Sequence, residues 1–199
     1  MQALVERLRK RGFDAHSFAT QQEAAAYLMT QIPSKATIGI GGSVTVRDMG
    51  LYATLCEKGH QVFWHWEALG EEVTKAREAA AGADIYLCSA NAITKDGILC
   101  NTDGFGNRVA ATIYGPKEVY FLIGRNKICD DVAAAWNRVK NVAAPMNARR
   151  LNTKTPCAVT GKCESCLSPS VMCGATVFIE RPTGGRTVHI LMIDEDLGY

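Results

Sequence analysis

The sequence predicts an α/β fold, a mainly parallel sheet flanked by helices, and three observations carry that prediction. Short β-branched apolar runs alternate with stretches of helical period, the pattern of strands joined by helical crossovers. The first long strand, ATIGI, ends in a glycine-rich turn that runs into a helix. Later strands break at their carboxyl ends into polar and glycine residues, the edge at which parallel sheets place ligands.

Taken in order, residues 2–13 and 21–32 alternate apolar and polar residues at helical spacing, with Ser17 or Thr20 as N-cap and Pro33 as stop. Residues 14–19 between them read as a short strand. After ATIGIGGS the chain reads as a helix around residues 48–58, then as a strand, QVFWHW, with His65 inside it as a packed histidine. EALGEEVTKAREAAAGA is a helix, and ADIYLCSANAIT a third, buried strand that turns polar at its end. Asp96-Gly97 and Asp103-Gly104 are turn signals around the strand ILCN, which predicts a hairpin. KEVYFLIG is a fourth sheet strand, and DDVAAAWNRVKNV a helix that Pro145 stops. GATVFIE and RTVHILMIDEDLGY then read as strands joined by a hairpin-type turn, RPTGGR. With no low-complexity linker and no repeat, residues 1–199 read as a single domain.

Composition narrows the function class. The chain is 47% hydrophobic and 21% charged, as in ordinary soluble globular proteins, and its net charge of +2 lacks the basic excess of a nucleic-acid binder. No apolar run approaches the roughly 20 residues that span a bilayer, so membrane insertion is not expected. The N-terminus has no signal-peptide core, and a cytoplasmic location follows. In a reducing compartment eight cysteines point to metal or redox chemistry rather than disulfides. Cys56, Cys88, Cys100 and Cys129 lie in apolar segments and read as buried small hydrophobes.

The other four stand in one polar segment, residues 147–173, spaced C-x5-C-x2-C-x6-C: Cys157, Cys163, Cys166 and Cys173. Proline, glycine, serine and threonine between them build turns, so the thiolates can face one centre. Three states compete: an iron–sulfur cluster, foremost a [4Fe–4S] cluster; a structural zinc; and free thiols. Zinc sites usually come as two separated Cys-x-x-Cys knuckles, and only one such pair exists here. The irregular spacing and the nearby Arg149, Arg150, Lys154 and Lys162 suit an anionic cluster better.

Several long motifs identify the family the chain resembles. GIGGSVTVRDMGL, NAITKDGILCNTDGFGNRVAATIYGPK, FLIGRNKI, RVKNVAAPMNARRLNTKTPC and the closing DEDLGY, in this order, resemble the lactate-utilisation (LUD) domain family, and TPCAVTGKCESCLSPSVMC resembles its four-cysteine subgroup. The resemblance implies a setting like that of lactate-utilisation proteins, which act beside iron–sulfur subunits in oxidising lactate to pyruvate, and hence a redox protein partner. It also implies the fold of ribose-5-phosphate isomerase and the CoA transferases, whose glycine loop binds phosphate or a CoA-type ligand; by position that is Gly41, Gly42, Ser43 and Thr45. The catalytic carboxylate of those enzymes has its nearest match in Asp103, with Glu71 and Glu72 behind it.

Together these readings predict an anion pocket for a small carboxylate or phosphate, built from Gly41, Gly42, Ser43, Thr45, Asn91, Asn107 and Lys127. In it Arg108 and Lys127 hold the anion and Asp103 is the acid/base. The alternative is a non-redox ligand binder, isomerase or transferase with a structural zinc. Either reading is compatible with a homo-oligomer.

Overall fold

In the computed structural model, which describes residues 1–199, six strands form one parallel sheet. Their order is β1 (Asp14–Phe18), β10 (Thr187–Ile193), β7 (Glu118–Gly124), β4 (Ile85–Cys88), β2 (Ile38–Ile40) and β3 (Val62–Trp64). The central strands are apolar at consecutive positions because both faces are covered. In β7 and β10, Phe121, Ile123, Ile190 and Met192 enter one core with Leu4 and Leu8 of α1 (Gln2–Lys10). Tyr120, Leu122, Leu191 and Ile193 enter the opposite core with Leu28 of α2 (Gln21–Gln31). The period of two along each strand thus divides one apolar run between two layers. The Thr20 side chain caps α2 by accepting the Glu23 N–H at 3.2 Å, as the sequence predicts.

Four further strands make a second sheet in the order β8 (Ile128–Cys129), β5 (Ala92–Thr94), β6 (Leu99–Asp103) and β9 (Ala175–Ile179). Strands β5 and β6 form the expected hairpin, with Gly97 in the left-handed region at φ +83°. Ile93, Leu99 and Ile179 share a core with the main sheet, so the two sheets pack together.

Several expectations are corrected. ADIYLCSANAIT is two strands in different sheets, since the chain leaves the main sheet after Cys88. RPTGGR closes no hairpin: it carries the chain from β9 in the second sheet to β10 in the first. The helix after the glycine loop is two, α3 (Val44–Asp48) and α4 (Leu51–Glu57), broken at Gly50 with φ +66°. Strand β3 ends at Trp64, so His65 lies beyond it. Cys88 and Cys100 are buried as expected, whereas Cys129 is half-buried and Cys56 exposed.

Pro145 does not end its helix. After α7 (Val132–Arg138) the backbone winds as a wide π turn over Val139–Ala143 and continues as α8 (Ala144–Arg150), with Pro145 in its first turn. A widened turn draws back the carbonyl with which the proline ring would collide, and first-turn N–H groups are not needed for the ladder. The helix therefore runs across the carboxyl edge of the sheet and delivers the cysteine segment there. A short helix, α9 (Pro156–Thr160), is the only regular element within the spaced cysteines, and α5 (Glu72–Ala81) and α6 (Asn107–Ile113) complete the layers.

Candidate functional site

The carboxyl ends of β2, β4 and β7 open into a cavity of about 750 Å³. Its floor comes from the segments that follow these strands: Gly42–Thr45, Ser89–Asn91 and Lys127. Val139, Ala143, Asn147 and Arg150 line it from the π turn and α8, and Pro169–Met172 from the cysteine segment.

Gly42, Ser43, Thr45, Asn91, Asp103, Asn107, Arg108 and Lys127 all line this cavity. Gly41 lies behind it. A Cβ at Gly41 would stand 2.9 Å from Tyr86 Oη and 3.0 Å from Arg108 Cγ, so this glycine lets the strand end pass close under those side chains. Its N–H donates to the Leu87 carbonyl at 2.9 Å and its carbonyl accepts from Trp64 Nε1 at 3.2 Å, leaving no backbone group for a ligand. Glu71 and Glu72 are exposed and lie outside the lining.

Arg108 and Asp103 bind the protein itself. The Arg108 Nη1 donates to the Ser89 carbonyl at 3.0 Å and to Asn101 Oδ1 at 2.5 Å. Its Nη2 reaches Asn91 Oδ1 and the Thr102 carbonyl, both at 3.0 Å, and pairs with Asp103 Oδ1 at 2.7 Å. The other Asp103 oxygen accepts the Val109 N–H at 2.7 Å in the first turn of α6. Both terminal nitrogens of Arg108 and both oxygens of Asp103 thus have partners within the protein. They tie β4, β6 and α6 into the cavity wall.

The cavity is electropositive all the same. Arg77, Arg108 and Arg150 face it against the single carboxylate of Asp103, and Lys127 adds charge below about pH 7. The Arg77 guanidinium stacks 4.2 Å from the centre of the Phe105 ring, and its buried Nε has no hydrogen-bond partner. Arg150 lies 4.5 Å over the Trp66 ring and donates through Nε to Tyr199 Oη at 2.7 Å, and Tyr199 in turn donates to Asn147 Oδ1 at 2.8 Å.

Two side chains in this cavity have displaced titrations. Burial, with the positive field of Arg77, pulls the His65 imidazole down to about 4, so it is neutral at pH 7. Burial, with Arg138 and Arg108 nearby, pulls the Lys127 ammonium down to about 7. Lys127 is 2% exposed, and its amine meets only two hydroxyls, Thr45 Oγ1 at 2.9 Å and Ser89 Oγ at 2.8 Å.

Sequence reasoning named Lys127 but missed His65, Arg77 and Tyr199. For Tyr199 a signal was present: β10 lies parallel to β7, so its tail emerges at the same carboxyl edge. For Arg77, on α5, the polar side of an amphipathic helix carries no mark of which cation faces a cavity.

A second cavity, about 530 Å³, is lined by Cys157, Cys163, Cys166 and Cys173 together. Arg149 Nε holds α9 through the Ala158 carbonyl at 2.9 Å, and Asn141 Oδ1 of the π turn accepts the Cys163 N–H at 3.1 Å. Burial raises the Cys173 thiol, with the Lys140 ammonium acting in the opposite direction. No three side chains in the molecule close on a point where one metal ion would sit. A tetrahedral zinc would draw sulfurs to about 3.8 Å from each other, given its 2.3 Å bonds, whereas a cluster spreads its thiolates around a cube. Four cysteines around one cavity are thiolate ligands of the kind that both a cluster and a zinc ion take. The two cavities share Ala144, Val171 and Met172, so the cysteine cavity and the cavity lined by the glycine loop have a common wall.

Comparison with known proteins gives the family and the fold. The LUD domain family model matches residues 1–193. Among solved structures, a DUF162 family protein from Deinococcus radiodurans is similar, with 11% identity and a TM-score of 0.56 over 96% of this chain and 94% of that one. At that identity the likeness speaks for the fold alone. No curated protein matches the chain.

Proposed function

This chain belongs to the LUD domain family, and from that premise we propose that it is a redox component in the use of lactate or a related small organic acid. In this reading the acid binds in the electropositive cavity, an iron–sulfur cluster of the [4Fe–4S] type binds at Cys157, Cys163, Cys166 and Cys173, and a redox protein accepts the electrons. The observation that supports it most is the wall of Ala144, Val171 and Met172 between the two cavities.

When bound, the cluster supplies one-electron transfer. The remaining roles fall to side chains. Arg77 lines the cavity with no carboxylate paired to it and suits the carboxylate of the acid, and Arg150, held by Tyr199 and Asn147, lines the same cavity. Neutral His65 offers one donor and one acceptor without adding charge. Arg108 is a positioning residue that fixes the strand ends from which Ser89 and Asn91 project. The cavity exceeds the needs of a three-carbon acid, so an acid with a longer tail fits as well.

The test is anaerobic purification followed by metal analysis and spectroscopy. The reading expects a brown protein with about four iron and four sulfide per chain and a paramagnetic signal on dithionite reduction. A colourless protein with one tightly held zinc contradicts it and supports the non-redox alternative.

A further inference from the structure

We propose that Lys127 is a nucleophilic amine that forms an imine with the carbonyl carbon of an oxo acid held in the electropositive cavity. The inference rests on the reading that this cavity takes an organic acid and adds the class of acid and the atom it meets.

The directions of the hydrogen bonds around Nζ carry it. Ser89 Oγ donates its one proton to the Leu122 carbonyl at 2.5 Å, and Thr45 Oγ1 donates its proton to the Leu197 carbonyl at 3.3 Å. Both hydroxyls must therefore accept from Lys127. A neutral amine has two N–H groups, which these two acceptors satisfy, and a lone pair, which is left as its third direction. Lys127 forms no ion pair with any carboxylate, and its side chain lines the cavity. A lysine that serves only to bind an anion keeps its charge. One that is buried, without a carboxylate, and beside Arg108 and Arg138 is held toward the neutral, nucleophilic form.

The ligand must then be electrophilic at carbon and anionic elsewhere, because Arg77 and Arg150 face the same space without a carboxylate of their own to match them. An oxo acid meets both requirements. In the step, the Nζ lone pair bonds to the carbonyl carbon and the oxygen takes a proton, giving a carbinolamine. That hydroxyl, which carries one of the two amine protons, leaves as water with one further proton from solvent, and Nζ keeps its remaining proton, giving the protonated imine. No oxidant or reductant enters.

Trapping tests this on the full chain. Glyoxylate, pyruvate and 2-oxoglutarate are each incubated with the protein and sodium cyanoborohydride, and peptides are mapped by mass spectrometry; binding of the same acids is followed by calorimetry. The expected result is a single secondary-amine adduct at Lys127 with at least one acid, its yield rising as pH passes through about 7, and none on that peptide in Lys127→Met. The wild-type map decides the matter even if the variant folds poorly, because the exposed lysines serve as controls within the same sample. Binding without an adduct at Lys127, or adducts scattered over surface lysines, overturns the imine and leaves the acid-binding reading standing. Neither binding nor adduct with any acid overturns both.

Discussion

At the scale of single residues, the cavity separates side chains that hold the wall from those that face its open space. Arg108 belongs to the first group. Replacing it with methionine leaves Asp103, Asn91 and Asn101 buried without their cation, and such losses cost about 3–5 kcal/mol; urea unfolding of Arg108→Met should show a drop of that order. Arg77 belongs to the second: Arg77→Met should leave the urea midpoint nearly unchanged and weaken acid binding about 10–100-fold by calorimetry. Lys127 makes a prediction in pH. Its folded value of about 7 lies below the ordinary 10.5, so between the two the unfolded chain holds the extra proton and stability rises with pH. The penalty is full below pH 7 and gone above about 10.5. Lys127→Met should therefore gain most over wild type near pH 6, and the advantage should shrink on the way to pH 10. The sequence pointed to Lys127 through its place at a strand end, but not to the partners of Arg108, which come from two separate segments, 89–91 and 101–103.

At the scale of elements, the strands that could be read from the sequence are those whose environment leaves a periodic mark. Strands β7 and β10, covered on both faces, are unbroken apolar runs. Strands β5 and β8, three and two residues long, carry too little pattern to separate them from the loops around them. They exist because the hairpin of β5 and β6 meets β9 across the chain, a contact that no local period reveals. Pro145 failed as a stop for a related reason, since the π turn before it makes room that sequence propensity does not foresee. Gly39 marks the tightest approach between layers: a Cβ there would run into the Ala80 carbonyl at the end of α5. Backbone cannot move aside as a side chain can, so Gly39→Ala should push α5 from the sheet and cost on the order of 2 kcal/mol or more in thermal or urea unfolding.

At the scale of the whole molecule, one helix path joins two cavities. The π turn and α8 run over the carboxyl edge of the sheet, face the electropositive cavity with Ala143, Asn147 and Arg150, and reach the cysteine cavity through Asn141 and Ala144. The cysteine spacing was visible in the sequence as a possible metal site, and the strand ends as a ligand edge. Their shared wall was not, because it depends on where the helix leads the loop. No helix is long and apolar enough to cross a membrane. The central claim is that a cluster on the four cysteines lies beside a bound organic acid. Its most direct test is the electron paramagnetic resonance spectrum of the dithionite-reduced, anaerobically purified protein, recorded with and without lactate and pyruvate. The account predicts a cluster signal whose line shape changes when an acid is added, with about 10–100-fold more acid needed for the same change in Arg77→Met. A protein without a cluster signal, or a signal indifferent to every acid that calorimetry shows to bind, would contradict it.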